Sequence, residues 1–133
     1  MNKKADKRKW YTALKERLIR ESRSDLLRFT LSTMPTFRPA DFHRRYYHVL
    51  TDFADGKIRK LMVFMPPQHG KSEGSTRRLP AFLMGQNPDK KLAIVSYNAP
   101  KARKFNREIQ RIIDSPEYHD IFPNTALNAS NVT

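Results

Sequence analysis

Residues 61–73 read Leu61-Met62-Val63-Phe64-Met65-Pro66-Pro67-Gln68-His69-Gly70-Lys71-Ser72-Glu73, an apolar run that leads into a loop containing Gly-Lys-Ser. The run has no polar residue, which is typical of a short strand buried on both faces. A second apolar run, residues 92–97, follows after a segment with helical character. Two such strands joined by a helix form a βαβ unit. The sequence therefore predicts an α/β fold with a parallel sheet.

The Gly-Lys-Ser sequence predicts a phosphate-binding loop. At a strand-to-helix turn, backbone N–H groups can surround a phosphate, and glycine allows it to approach closely. Lys71 is expected to reach the β- and γ-phosphates of ATP, and the Ser72 hydroxyl to bind Mg²⁺. The full pattern, G-x-x-x-x-G-K-[ST], has glycine where this chain has Met65, so the prediction depends on the strand and helix around the loop. The predicted phosphate-binding residues are Pro67, Gln68, His69, Gly70, Lys71, Ser72 and Glu73.

Helical periodicity is found on both sides of the loop. In residues 5–21, Trp10, Leu14 and Leu18 form one apolar stripe that is expected to face the core. Ser24 is the predicted N-cap of a short second helix. Further helices are predicted at residues 42–53 and 100–114, the second of them ended by Ser115-Pro116.

The charge of the chain predicts a polyanionic partner. Lys and Arg number 26 against 13 Asp and Glu, a net charge of +13. Residues 1–60 hold 16 basic and 7 acidic residues (16 − 7 = +9), and residues 61–133 hold 10 and 6 (10 − 6 = +4). Clustered basic residues favour double-stranded DNA because neutralised phosphates release counterions. A solvated basic surface is the alternative.

Composition excludes several classes of protein. Cysteine is absent, which excludes disulfide scaffolds, Cys-zinc sites and thiol catalysis. No apolar run approaches the roughly 18 residues that a membrane span needs, so no membrane partner is expected. The basic N-terminus lacks the apolar core of a secretory signal.

Four ordered segments resemble the N-terminal ATPase region of phage terminase large subunits. They are residues 65–73, 80–88, 94–98 and 115–123. The family often has a Pro-Pro-Arg-His-Gly-Lys-Ser loop, and it has the other three segments in the same order. The resemblance implies a P-loop NTPase of the additional-strand class that uses ATP and Mg²⁺ to move viral DNA into a capsid. The implied partners are double-stranded DNA, the terminase small subunit, the capsid portal and a homo-oligomeric ring, in the host cell cytoplasm.

The resemblance also predicts how the chain is divided. Residues 1–38 are expected to form a basic helical N-terminal segment, and residues 39–133 an incomplete P-loop ATPase domain. The Walker B strand, the catalytic glutamate and the nuclease carboxylates of the family lie beyond the matched part. The chain is therefore expected to be an N-terminal fragment without ATP turnover of its own. A helicase-like P-loop ATPase and a non-catalytic, basic DNA-binding remnant stay open as alternatives.

Further site residues follow from the family pattern. The candidate catalytic residues are Lys71 and Arg107. Arg107 is the candidate for an arginine that acts in trans on a neighbouring subunit's ATP, unless it belongs to a solvated basic face. Phe42 and His43 occupy the region that contacts adenine in the family, although Phe42 also fits a core position. Gln68 replaces the family's arginine, which places a cis arginine contribution in doubt.

Overall fold

The computed structural model describes residues 3–128, with side chains from residue 6 onward. Within these residues the chain is helical, with six α-helices and one π-helix. The α-helices are α1 (Lys3–Ser22), α2 (Leu26–Thr33), α3 (Asp41–Ala54), α4 (Leu79–Gln86), α5 (Ala99–Ile113) and α6 (Pro116–Ile121). The π-helix (Glu73–Arg78) directly precedes α4.

The predicted parallel sheet is wrong, and with it the α/β P-loop NTPase fold. Residues 3–128 contain no strand, and residues 61–66 and 91–96 lie outside every helix. No backbone hydrogen bond pairs either of these segments with another part of the described chain. A strand is defined by its hydrogen-bonded ladder, so an apolar run without a paired neighbour is not one.

Both apolar runs have one buried and one exposed face. Residues alternate between partly buried and exposed along each run, as extended backbone does. The inward residues, which pack against the helical core, are Leu61, Val63, Met65, Leu92 and Ile94. The outward residues are Met62, Phe64, Val95 and Tyr97, which are 79%, 84%, 91% and 85% exposed. The prediction that these runs are buried on both faces is therefore wrong.

An aromatic cluster forms the centre of the core. The Phe29 ring lies 5.5 Å from the ring of Phe82 and 5.9 Å from that of Tyr118, centroid to centroid. Tyr118 lies 5.4 Å from Phe122, and its hydroxyl donates to the carbonyl oxygen of Ala81 at 2.8 Å. Burial raises the pKa of the Tyr118 hydroxyl. Two of the segments that carry the family resemblance, 80–88 and 115–123, thus meet in this cluster.

The helices predicted at residues 5–21, 42–53 and 100–114 are confirmed, but two boundaries differ. Asp25, not Ser24, caps α2, and its carboxylate accepts from the backbone N–H of Arg28 at 2.8 Å. Helix α5 ends at Ile113 with Asp114 as its C-cap, and Ser115 is instead the N-cap of α6, a helix that was not predicted from the sequence. The Ser115 hydroxyl oxygen accepts from the N–H of Tyr118 at 3.3 Å.

The apolar stripe on α1 does not face the core. Trp10, Leu14 and Leu18 are exposed, and α1 becomes buried at its last residue, Ser22. The Ser22 and Ser32 hydroxyls are hydrogen-bonded at 2.9 Å, which joins α1 to α2. The predicted boundary at residue 38 stays a prediction. Among the described helices, none is long and apolar enough to cross a membrane.

Candidate phosphate-binding site

The Gly-Lys-Ser loop turns directly into a helix. Gly70 has φ +81°, and the helical run begins at Lys71 and continues through the π-helix and α4. This left-handed conformation suits glycine, and a Cβ at Gly70 would lie 3.2 Å from His43 Nε2. Gln68 also has a positive φ, +61°, which is rare for a residue with a side chain. The first N–H groups of a helix have no intrahelical acceptor, so those that follow Gly70 are available to an anion.

Histidine side chains hold the loop in this conformation. The backbone N–H of Ala40 donates to His43 Nδ1 at 3.0 Å, so that nitrogen is an acceptor. His43 Nε2 then carries the proton and donates to the carbonyl oxygen of His69 at 3.1 Å. Since a carbonyl only accepts, His69 Nδ1 donates to Pro67 O at 2.7 Å. Both ring nitrogens of His43 are therefore used within the protein.

The helix α3 also contacts the start of the loop helix. The Tyr46 hydroxyl donates to the carbonyl oxygen of Lys71 at 2.8 Å, and the Ser75 hydroxyl donates to the same oxygen at 2.9 Å. Burial raises the pKa of Tyr46. A Cβ at Gly74 would lie 2.7 Å from Tyr46 Cε1, so glycine permits this close approach. These contacts fix the backbone position from which the Lys71 side chain extends.

The loop surrounds a cavity of about 290 Å³. Its lining residues are Pro66, Pro67, Gln68, Gly70, Lys71, Ser72, Glu73 and Arg77. Lys71, which is exposed, and Ser72, which is partly buried, line this cavity at the N-terminus of a helix. That combination fits a phosphate group, and Ser72 is the residue that would hold Mg²⁺. Within residues 3–128 no cluster of three or more His, Asp or Glu side chains fits a metal ion.

A network of ion pairs lies beside the cavity. Glu73 accepts from Arg78 Nε at 2.7 Å and from Arg77 Nη1 at 3.2 Å. Arg77 Nε donates to Glu108 of α5 at 2.5 Å. The wider turn of the π-helix brings residues four and five positions after Glu73 to the same carboxylate. Glu73 is thus engaged by two arginines, in addition to its position in a first helical turn.

The structure brings most of the predicted site residues together. Residues 67–70 form the loop and residues 71–73 begin the helix that follows it, and Phe42 lies beside the loop with its ring 5.8 Å from that of His69. Arg107 is exposed on α5 and does not line the loop cavity. The roles assigned to these residues, ATP and Mg²⁺ included, stay predictions.

Sequence reasoning missed the residues that support the loop. The helical spacing of Tyr46 fits a core position, and Tyr46 is buried, but its hydroxyl also donates to the carbonyl oxygen of Lys71. The spacing of Glu73 and Arg77 is a recognisable i,i+4 pair. Glu108 gives no such signal because it lies 31 residues from Arg77.

Comparisons with protein-family models, curated proteins and solved structures find no match to this chain.

Proposed function

We propose that residues 67–73 bind the phosphates of MgATP and that the chain serves as the ATP-binding part of a DNA-packaging terminase large subunit. The observation that carries this proposal is the turn at Gly70, which leads into a helix whose first residue, Lys71, lines the loop cavity. The strand predicted before the loop is absent from residues 3–128, so of the two elements expected to flank the loop only the helix supports the proposal. We choose the terminase family because four segments of the sequence resemble it.

The charges at the loop favour a phosphate ligand. The N-terminus of a helix carries partial positive charge, and Lys71 adds a full one. In this proposal Lys71 and the first N–H groups of the helix bind the phosphate oxygens, and Ser72 binds Mg²⁺. The metal would neutralise charge on the bound phosphates. Phe42, exposed beside His69, is the candidate for contact with the base.

The remaining parts of the proposal concern partners. Double-stranded DNA would contact the exposed basic residues, most of which lie before residue 61. In a ring of subunits, Arg107 would act on the ATP of a neighbouring subunit, since its side chain is exposed and away from its own cavity. The terminase small subunit, the capsid portal and the host cytoplasm belong to this proposal through the family resemblance.

Isothermal titration of the full chain with MgATP tests the loop assignment. Lys71→Ala removes the ammonium of a residue that lines the cavity, and we expect it to weaken binding at least about tenfold, or ~1.4 kcal/mol. Lys91→Ala is the matched control, because it removes an exposed lysine outside the cavity. Circular dichroism checks that both variants stay folded. Equal MgATP affinity of the wild type and Lys71→Ala would overturn the proposal.

A further inference from the structure

Arg77 is a second cation at the loop cavity. Its side chain is 22% exposed and lines the cavity together with Lys71 and Ser72. Its Nε and Nη1 donate to Glu108 and Glu73, and its guanidinium carbon lies 5.4 Å from the centroid of the Phe105 ring. Within the described residues, Nη2 has no protein acceptor.

Each of the two carboxylates that hold Arg77 also has another cation nearby. The Glu73 carboxylate lies 2.7 Å from Arg78 Nε, and the Glu108 carboxylate lies 4.0 Å from Lys104 Nζ. Breaking a buried pair is costly when it leaves a charge without a partner. Movement of Arg77 would leave neither acid alone.

Arg78, the neighbouring residue, lacks this freedom. It is 8% exposed, does not line the loop cavity, and donates from Nη1 to the Thr33 hydroxyl at 2.7 Å as well as from Nε to Glu73. It therefore joins the loop helix to α2. The two adjacent arginines differ in burial and in surroundings.

We propose that Arg77 is a phosphate-binding residue that leaves Glu73 and Glu108 for a phosphate oxygen when the loop is occupied. A guanidinium binds phosphate through two parallel N–H groups, so it supplies directional contacts that the Lys71 ammonium does not. Position 68 of the loop carries an uncharged Gln, and among the described cavity residues Arg77 is the one arginine. This inference rests on the proposed function, since it names a second ligand of the same phosphates.

The decisive experiment is a double-mutant cycle between Arg77 and Glu108, read as MgATP affinity by isothermal titration. Arg77→Gln is expected to weaken binding about tenfold, and Arg77→Lys by less. Glu108→Gln removes a carboxylate that competes with phosphate for Arg77, so it is expected to tighten binding a few-fold. In the Arg77→Gln background the same Glu108→Gln change is expected to have no effect on affinity.

Each outcome separates this inference from the proposed function. If Lys71→Ala binds MgATP as the wild type does, the proposed function is wrong. If Lys71→Ala loses binding but Arg77→Gln stays within twofold of the wild type, only the role of Arg77 is wrong. If Glu108→Gln raises the MgATP affinity equally with and without Arg77, the gain comes from the loss of a negative charge alone, and the role of Arg77 is also wrong. If Arg77→Gln does not fold, Glu108→Gln in the presence of Arg77→Lys decides, and a weakened or unchanged affinity overturns the inference.

Discussion

Gly74 is the residue at which the loop helix touches α3. A Cβ at this position would lie 2.7 Å from Tyr46 Cε1 and 3.2 Å from Leu50 Cδ1, and Tyr46 and Leu50 are both buried. We expect Gly74→Ala to destabilise the protein by about 1–3 kcal/mol, because the extra methyl group overpacks this contact. The urea midpoint of unfolding measures the change.

The sign of the change in the urea midpoint shows whether the contact between Gly74 and Tyr46 is tight. In an exposed helix, alanine in place of glycine stabilises by roughly 1 kcal/mol. A higher urea midpoint for Gly74→Ala would therefore show that the contact with Tyr46 is loose.

Single residues of the loop could be predicted from the sequence, but the residues that hold the loop in place could not. Gly70, Lys71 and Ser72 are contiguous, so their pattern is visible in the sequence. The Tyr46 hydroxyl binds a carbonyl 25 residues away, and no periodicity predicts a contact over that separation. Tyr46 fits a core position equally well, and its buried ring occupies one.

The helices could be predicted because their signal is local. Apolar residues that recur with the helical period mark α3 and α5, and Asp55-Gly56 marks the end of α3, where Gly56 has φ +78°. The apolar runs were misassigned because strand pairing is not local. A continuous apolar run does not say whether its second face is covered, and in residues 61–65 and 92–97 that face is exposed.

The ion pair between the π-helix and α5 predicts a pH dependence of stability. Burial acts to raise the pKa of Glu108, but the hydrogen bond and the charge of Arg77 outweigh it and lower that pKa from its ordinary 4.5. A carboxyl whose pKa is lowered by folding stabilises the protein above its unfolded pKa, and this contribution is lost as the pH falls through the folded pKa.

Glu108→Gln is therefore expected to destabilise the protein at pH 7, and the difference from the wild type should shrink as the pH falls below about 4.5. Urea unfolding followed by circular dichroism at a series of pH values gives this difference. Glu16→Gln, on exposed α1, controls for the loss of one negative charge. A difference that stays constant with pH would show that the Arg77–Glu108 pair does not hold Glu108 ionised.

In the whole molecule, the exposed helix α1 lies in the part of the chain that carries most of the excess positive charge. The stripe on α1 was expected to face the core, yet from residue 6 to residue 18 the helix is exposed along its length. An amphipathic pattern predicts a buried face only if another element lies alongside it, and this placement depends on the whole fold. The same exposure leaves the lysines and arginines between residues 7 and 20 accessible.

We expect the chain to bind double-stranded DNA without sequence preference and with an affinity that falls steeply as salt increases, because the excess of +9 in residues 1–60 binds by counterion release. Lys7 and Lys9 are exposed on α1, and replacing both by Gln should reduce the slope of log K against log salt by up to about 2. Lys90→Gln with Lys91→Gln is the matched control, since it removes two exposed lysines from the part of the chain with the smaller charge excess. Fluorescence anisotropy with two unrelated duplexes gives the slopes. A salt-independent affinity, or a slope that the Lys7 and Lys9 substitutions leave unchanged, would show that α1 is not the surface that meets the phosphates.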